Sequence, residues 1–265
     1  MENKEFNPLD NLVADGGFTA ILGTLGCIGD SLSSGEHEGL DADGKKSYND
    51  YYEYSWGQFI ARKCGIKVTN MSVGGMNCKD FHHMASYNRY FSSKSNLCQA
   101  YIIALGVNDM NNLATIYNGQ FGDMKDVNLD NHEENKMSFV GQYVKIIQRI
   151  RLAQPKARIF VTTAPREKGV SAERQAIYDK YADFIRSLPE YFEYLYVIDL
   201  NKYAPIIDEQ FRYNYYLGGH LSAMGYKYMA DLISTYIDYI IKNNVDDFRQ
   251  IGFVGKDVYN SSYKW

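Results

Sequence analysis

Five short apolar runs, each separated from the next by a stretch of helical periodicity, most narrow the folds open to this chain. They are GTLGCIGD (23–30), IKVTNMSV (66–73), AYIIALG (100–106), ARIFVTTA (157–164) and EYLYVIDL (193–200). Each is short, β-branched or aromatic, and bounded by turn residues, which predicts a strand. Between them, residues 54–64 predict a helix stopped at Gly65. Residues 137–153 place Phe139, Tyr143, Ile146, Ile147 and Ile150 on one helical face, with Pro155 beyond. Residues 171–188 begin at Ser171 and stop before Pro189, and a last helix starts near Ser222 with a stripe of Met229, Leu232, Ile233, Tyr236, Ile237 and Ile240. Alternating strands and helices with near-continuous apolar strands imply an α/β fold: a parallel sheet covered on both faces, in a doubly wound, flavodoxin-like order. In such sheets functional residues gather beyond the carboxyl ends of the strands.

Two segments fall outside this rhythm. Residues 111–136 read as a long polar loop rich in Asn, Asp and Gly, and residues 243–265 as an aromatic-containing tail ending in Trp265. The tail is expected either to pack back or to meet a partner chain, which leaves a homo-oligomer open. With no repeat and no linker, residues 1–265 are expected to form a single domain with that tail as its extension.

Composition closes several functional classes. A net charge of −4 leaves no basic footprint for nucleic acid. No apolar run approaches the roughly 18 residues of a membrane span, and MENKEFNPLDN lacks the pattern of a signal peptide, so a cytoplasmic protein is expected. Cys27, Cys64, Cys78 and Cys98 lie far apart and are expected to be reduced thiols packed as small hydrophobes; His82-His83 is the only histidine cluster, so no metal site is expected. Tyrosine is over-used, at 24 residues, which suits half-buried surface and also an aromatic-lined cleft for sugar rings.

The predicted strand ends carry the chemistry. The first ends in Gly29-Asp30-Ser31-Leu32, the second is followed by Gly74-Gly75, the third ends in Gly106-Val107-Asn108-Asp109, and Gly218-Gly219-His220 precedes the last helix. Singly, each reads as an ordinary turn. Together they supply a hydroxyl nucleophile, an imidazole base and oxyanion donors for acyl transfer. The donors are the backbone N–H groups of Ser31 and Gly75 and the Asn108 amide. Asp30, Asp109 and the Leu217 carbonyl are supporting positions, with Asp30 fixing its own loop through backbone hydrogen bonds.

These four ordered blocks resemble the SGNH (GDSL-type) hydrolases, over roughly residues 24–242. The resemblance implies a three-layer α/β/α sandwich and hydrolysis of esters or thioesters without metal or organic cofactor. It also implies Ser31 as nucleophile and His220 as base. The family pattern breaks at one place. An aspartate is expected three residues before the histidine, where this chain has Leu217. A Ser-His dyad oriented by a backbone carbonyl near Leu217 is the favoured expectation; an acid from Asp199, Asp208 or Glu209 is the alternative. Glu36-His37-Glu38 reads as a solvated loop, with a place on the pocket rim as its other reading.

Polar, tyrosine-rich loops at 47–52 and 213–216 favour a small acyl ester as substrate, an acetylated saccharide, over a lipid. A lysophospholipase- or thioesterase-type acyl hydrolase and a non-catalytic carbohydrate-binding relative are the alternatives. A nucleotide binder is disfavoured, because Gly23, Gly26 and Gly29 have the wrong spacing for a dinucleotide loop.

Overall fold

A computed structural model describes residues 6–83, 91–251 and 262. Its centre is a sheet of five parallel strands: β1 (Thr24–Gly29), β4 (Lys67–Asn70), β5 (Ala100–Ala104), β6 (Arg158–Thr162) and β7 (Leu195–Ile198). Their order is β4-β1-β5-β6-β7, so the chain reverses its direction of travel between β1 and β5. All five lie where the apolar runs predict, trimmed by one to three residues at most ends.

Strand alternation builds two cores, one on each face. Leu25, Cys27, Ala100, Ile102, Phe160 and Ile198 point to one side, against helices α1 (Trp56–Cys64) and α4 (Ala223–Asn243). Ile28, Tyr101, Ile103, Ile159 and Val161 point to the other, against α2 (Phe139–Ala153) and α3 (Ala172–Ser187). The result is the three-layer α/β/α sandwich. Each of these four helices opens on a serine whose side chain accepts an N–H at the third helical position: Ser55, Ser138, Ser171 and Ser222. All four cysteines are free and buried.

Several segments depart from the sequence expectation. Residues 36–40 and 46–50 are not solvated loop but an antiparallel hairpin, β2 (Glu36–Leu40) with β3 (Lys46–Asp50). A second, minimal hairpin joins β8 (Tyr216–Leu217) to β9 (His220–Leu221). The polar stretch 111–136 is held down by Tyr117 and Phe121, both buried in the core, and folded into short turns by Asp123 and Asn131, whose side chains accept nearby backbone N–H groups. The start of the tail packs back: Phe248 stacks on Phe160 and Tyr196, and Ile251 is buried. Trp265 lies outside the described residues. Among them no helix is long and apolar enough to cross a membrane.

Phe139 is fully buried, with ring contacts to Tyr117, Phe121, Tyr143, Tyr181 and Phe184. Phe139→Ala is expected to destabilise the protein by about 3–5 kcal/mol, read as a lowered urea midpoint at an unchanged m-value.

Candidate active site

Asp30, Asn108 and the Gly74-Gly75 turn meet beyond the carboxyl ends of β1, β5 and β4, where the strand order reverses. Asp30 caps a single helical turn, Ser31–Ser34, by accepting the Leu32 N–H at 3.0 Å. Ser31 is thereby the first residue of that turn, and its N–H has no intrahelical acceptor. After β4 the chain turns at Gly74-Gly75, with the Met76 N–H bonded to the Val73 carbonyl at 3.1 Å. Gly75 holds φ +73°, the left-handed value that the third residue of such a turn demands and that a side chain resists. Asn108, in the turn after β5, ties these pieces together. Its amide nitrogen lies 3.2 Å from the Met76 carbonyl and 3.4 Å from the Asp30 carboxylate.

His220 stands on β9, and the Ser31–Ser34 turn packs against that strand. Its nearest polar neighbours are two carboxylates. Nε2 lies 3.0 Å from Glu36 Oε1, and Nδ1 lies 3.6 Å from Glu38 Oε2. Glu36 and Glu38 are two apart on β2, so strand alternation turns both toward the imidazole, while His37 turns away to Tyr51, Tyr54 and Tyr226. Among the described residues the Ser31 hydroxyl has no hydrogen-bond partner. Tyr48 of β3 meets His220 edge-on, with ring centroids 5.5 Å apart.

Three sequence expectations need correcting here. The Leu217 carbonyl does not accept from Nδ1, which is buried without a hydrogen-bond partner. Leu217 pairs with His220 across a two-residue hairpin, which commits its backbone to that pairing. Asp199 is taken by Arg186 and Thr163, Asp208 caps the turn at Phe211, and Glu209 is exposed. Glu36 and Glu38, read as solvated loop, flank the histidine.

Tyr226 also escaped the sequence reading. Its hydroxyl lies 2.7 Å from the Glu36 carbonyl and 3.0 Å from the Ser31 carbonyl, pinning the serine turn to the hairpin from α4. The signal was present, since Tyr226, Ala230, Ile233 and Ile237 share one helical face. Asp109 has a structural post: it is buried and accepts from the Cys78 N–H at 3.0 Å and the Tyr117 hydroxyl at 2.6 Å.

Burial dominates the electrostatics. It pushes Asp30 up to about 7, with the Asp109 charge adding and the Leu32 N–H opposing. Burial raises Glu36 above the usual carboxylate range, against the pull of His220. Glu38 is held low, first by its hydrogen bond from Lys46 and then by the Gly219 N–H. Among the described residues no three His, Cys, Asp or Glu side chains converge to hold a metal.

Beside these groups the strand ends enclose a cavity of about 150 Å³. Its lining includes Leu32, Val107 and Leu221, the chain neighbours of Ser31, Asn108 and His220, together with Ala164, Ile207 and Phe211.

Comparison with known proteins gives a consistent picture. The GDSL-like Lipase/Acylhydrolase family matches residues 27–228. Among solved structures, a family two carbohydrate esterase from Clostridium thermocellum, in complex with cellohexaose, superposes with a TM-score of 0.56 at 18% identity, over 84% of this chain and 65% of that one. A carbohydrate esterase family 2 enzyme plus carbohydrate binding domain from Corynascus thermopiles (Myceliophthora fergusii) gives 0.56 at 15%, over 83% and 66%. A Clostridium thermocellum family 3 carbohydrate esterase gives 0.51 at 14%, over 83% and 97%. At such identities the likeness is one of fold. No curated protein matches the chain.

The buried Asp30 ties stability to pH. Its folded value lies above the unfolded 3.8, so the folded state binds the extra proton and stability falls as pH rises from about 4 to about 7. Asp30→Asn is expected to flatten that fall, by about 3 kcal/mol at most, when urea midpoints at pH 5 and pH 8 are compared.

Proposed function

Since the chain belongs to the GDSL-like lipase/acylhydrolase family, we propose that this ester hydrolase uses Ser31 as nucleophile and His220 as base to remove small acyl groups, acetyl foremost, from a carbohydrate. The observation that carries the reading is the linkage at the strand reversal. Asn108 is bonded to both the Asp30 and Met76 ends, and the serine turn lies against the histidine strand. In the reaction the Ser31 hydroxyl attacks the acyl carbon and gives its proton to His220. The imidazolium then protonates the departing sugar oxygen, and water, activated in the same way, releases the acid.

The oxyanion would be received by the N–H groups of Ser31 and Gly75 and by the Asn108 amide. Gly75 is exposed and its backbone is open to close approach. Asn108 has one firm acceptor, Met76, and one long contact, Asp30, and the long contact is the one a developing oxyanion would displace. The sugar is expected on the hairpin side. There Tyr48, edge-on to the His220 ring, is about half exposed and offers a flat apolar face with a hydroxyl handle.

One observation favours a larger acyl group. An apolar cavity of about 150 Å³ is large enough to hold benzene, well beyond what an acetyl group fills. A series of p-nitrophenyl esters from acetate to octanoate, run beside acetylated xylan and cello-oligosaccharides, separates the readings. Preference for the acetylated saccharides supports the carbohydrate esterase; a clear preference for the longer chains overturns it in favour of a lysophospholipase- or thioesterase-type hydrolase. Ser31→Ala and His220→Ala are each expected to lower kcat/KM on p-nitrophenyl acetate by about 10³-fold or more. Wild-type turnover that is negligible, and unchanged by Ser31→Ala, would instead identify a carbohydrate-binding relative without catalysis.

A further inference from the structure

The imidazole has two polar edges, and the surroundings assign them different tasks. Its Nε2 edge faces Glu36, whose carboxylate fills the space over Gly74 so closely that a methyl group on Gly74 would collide with it. That edge therefore points toward the Gly74-Gly75 turn, the side on which an acyl carbonyl would lie. The Nδ1 edge points the other way, into the scaffold, and is buried with no hydrogen bond. A buried, unpaired ring nitrogen is costly unless some acceptor closes on it.

We infer that Glu38 is the positioning carboxylate of this enzyme, taking the task that the family pattern gives to the aspartate three residues before the histidine. The inference rests on the assignment of Ser31 and His220 above. Glu38 Oε2 lies 3.6 Å from Nδ1, a few tenths of an ångström beyond hydrogen-bond length, in a free enzyme where catalytic contacts are often loose. Its carboxylate is fixed from three sides. Lys46 reaches Oε1 at 2.6 Å, the Gly219 N–H reaches Oε2 at 2.7 Å, and Gly218 holds φ +61° with no room for a side chain against it. The Gly218-Gly219 turn is thus built around Glu38, and it is the turn that delivers His220. Glu38 stays ionised throughout. Nδ1 holds its hydrogen toward Glu38, and Nε2 becomes free to accept when substrate displaces the Glu36 carboxylate that stands 3.0 Å from it. The serine proton moves to Nε2 and on to the leaving alkoxide, while the carboxylate stabilises the transient imidazolium.

The groups facing His220 are Glu36 and Glu38 from β2, Tyr48 from β3, and, one shell out, Lys46 on Glu38 and Asp50 near Glu36. Removing the Glu38 charge therefore leaves a less stabilised imidazolium, and the acidic limb of the kcat/KM profile moves to lower pH. Glu38→Gln is expected to lower kcat on p-nitrophenyl acetate by about 10²–10⁴-fold with little change in KM, and to shift that limb downward. Glu38→Asp is expected to recover part of the rate. A merely structural role would lower the melting temperature without moving the limb.

The inference is overturned if Glu38→Gln keeps wild-type kcat and limb, or if Glu36→Gln produces the loss in its place. If Ser31→Ala or His220→Ala retains full activity, the underlying assignment fails instead, and the two failures are told apart by which variant is silent.

Discussion

Three segments far apart in the chain meet through one amide. Asn108 reaches the Met76 carbonyl beside the glycine turn and the Asp30 carboxyl that caps the serine turn, and so couples the ends of β1, β4 and β5. This coupling is available only because the strand order reverses between β1 and β5. A crevice opens at that point, and neighbouring loops diverge to opposite faces. Asp30 is the costly member of the arrangement. A carboxyl group buried beside Asp109 prefers its neutral form, and the site accepts that penalty because the same carboxyl fixes the geometry of Ser31. Stability is given up where the chemistry needs a rigid turn.

A second constraint comes from α4. Tyr226 lies on the helix that begins immediately after the His220 strand, and its hydroxyl bridges the carbonyls of Ser31 and Glu36. The Ser31 turn, the β2 hairpin and the His220 strand are thus referenced to the same helix. Burial raises the Tyr226 hydroxyl well above its ordinary value, so it remains a neutral donor across the working pH range.

Much of this was legible in the residues. The five strands and four long helices follow from apolar periodicity, because a parallel sheet buried on both faces leaves near-continuous apolar runs and its helices leave single stripes. Ser31, Gly75, Asn108 and His220 were legible as an ordered set at strand ends. What escaped was non-local or short. The hairpin 36–40/46–50 carries polar residues on both faces, so Glu36-His37-Glu38 has no apolar alternation to betray a strand. Two-residue strands such as β8 and β9 leave no periodicity at all. Near His220 the chain offers Asp199, Asp208 and Glu209 as acids, whereas the carboxylates that flank the ring, Glu36 and Glu38, stand 184 and 182 positions earlier, a few residues after Ser31.

That displacement has a physical logic. An imidazole needs an acceptor on its Nδ1 edge, and the edge does not register which part of the chain supplies it. With an aspartate three residues earlier, the histidine loop would be oriented by its own sequence. Here the loop is a tight Gly-Gly hairpin whose backbone is spent on its own pairing, and it can carry no side chain toward the ring. The carboxylates that flank the ring come instead from β2, which packs against that hairpin and begins five residues beyond Ser31. Ser31 and the flanking carboxylates share one short segment in this arrangement.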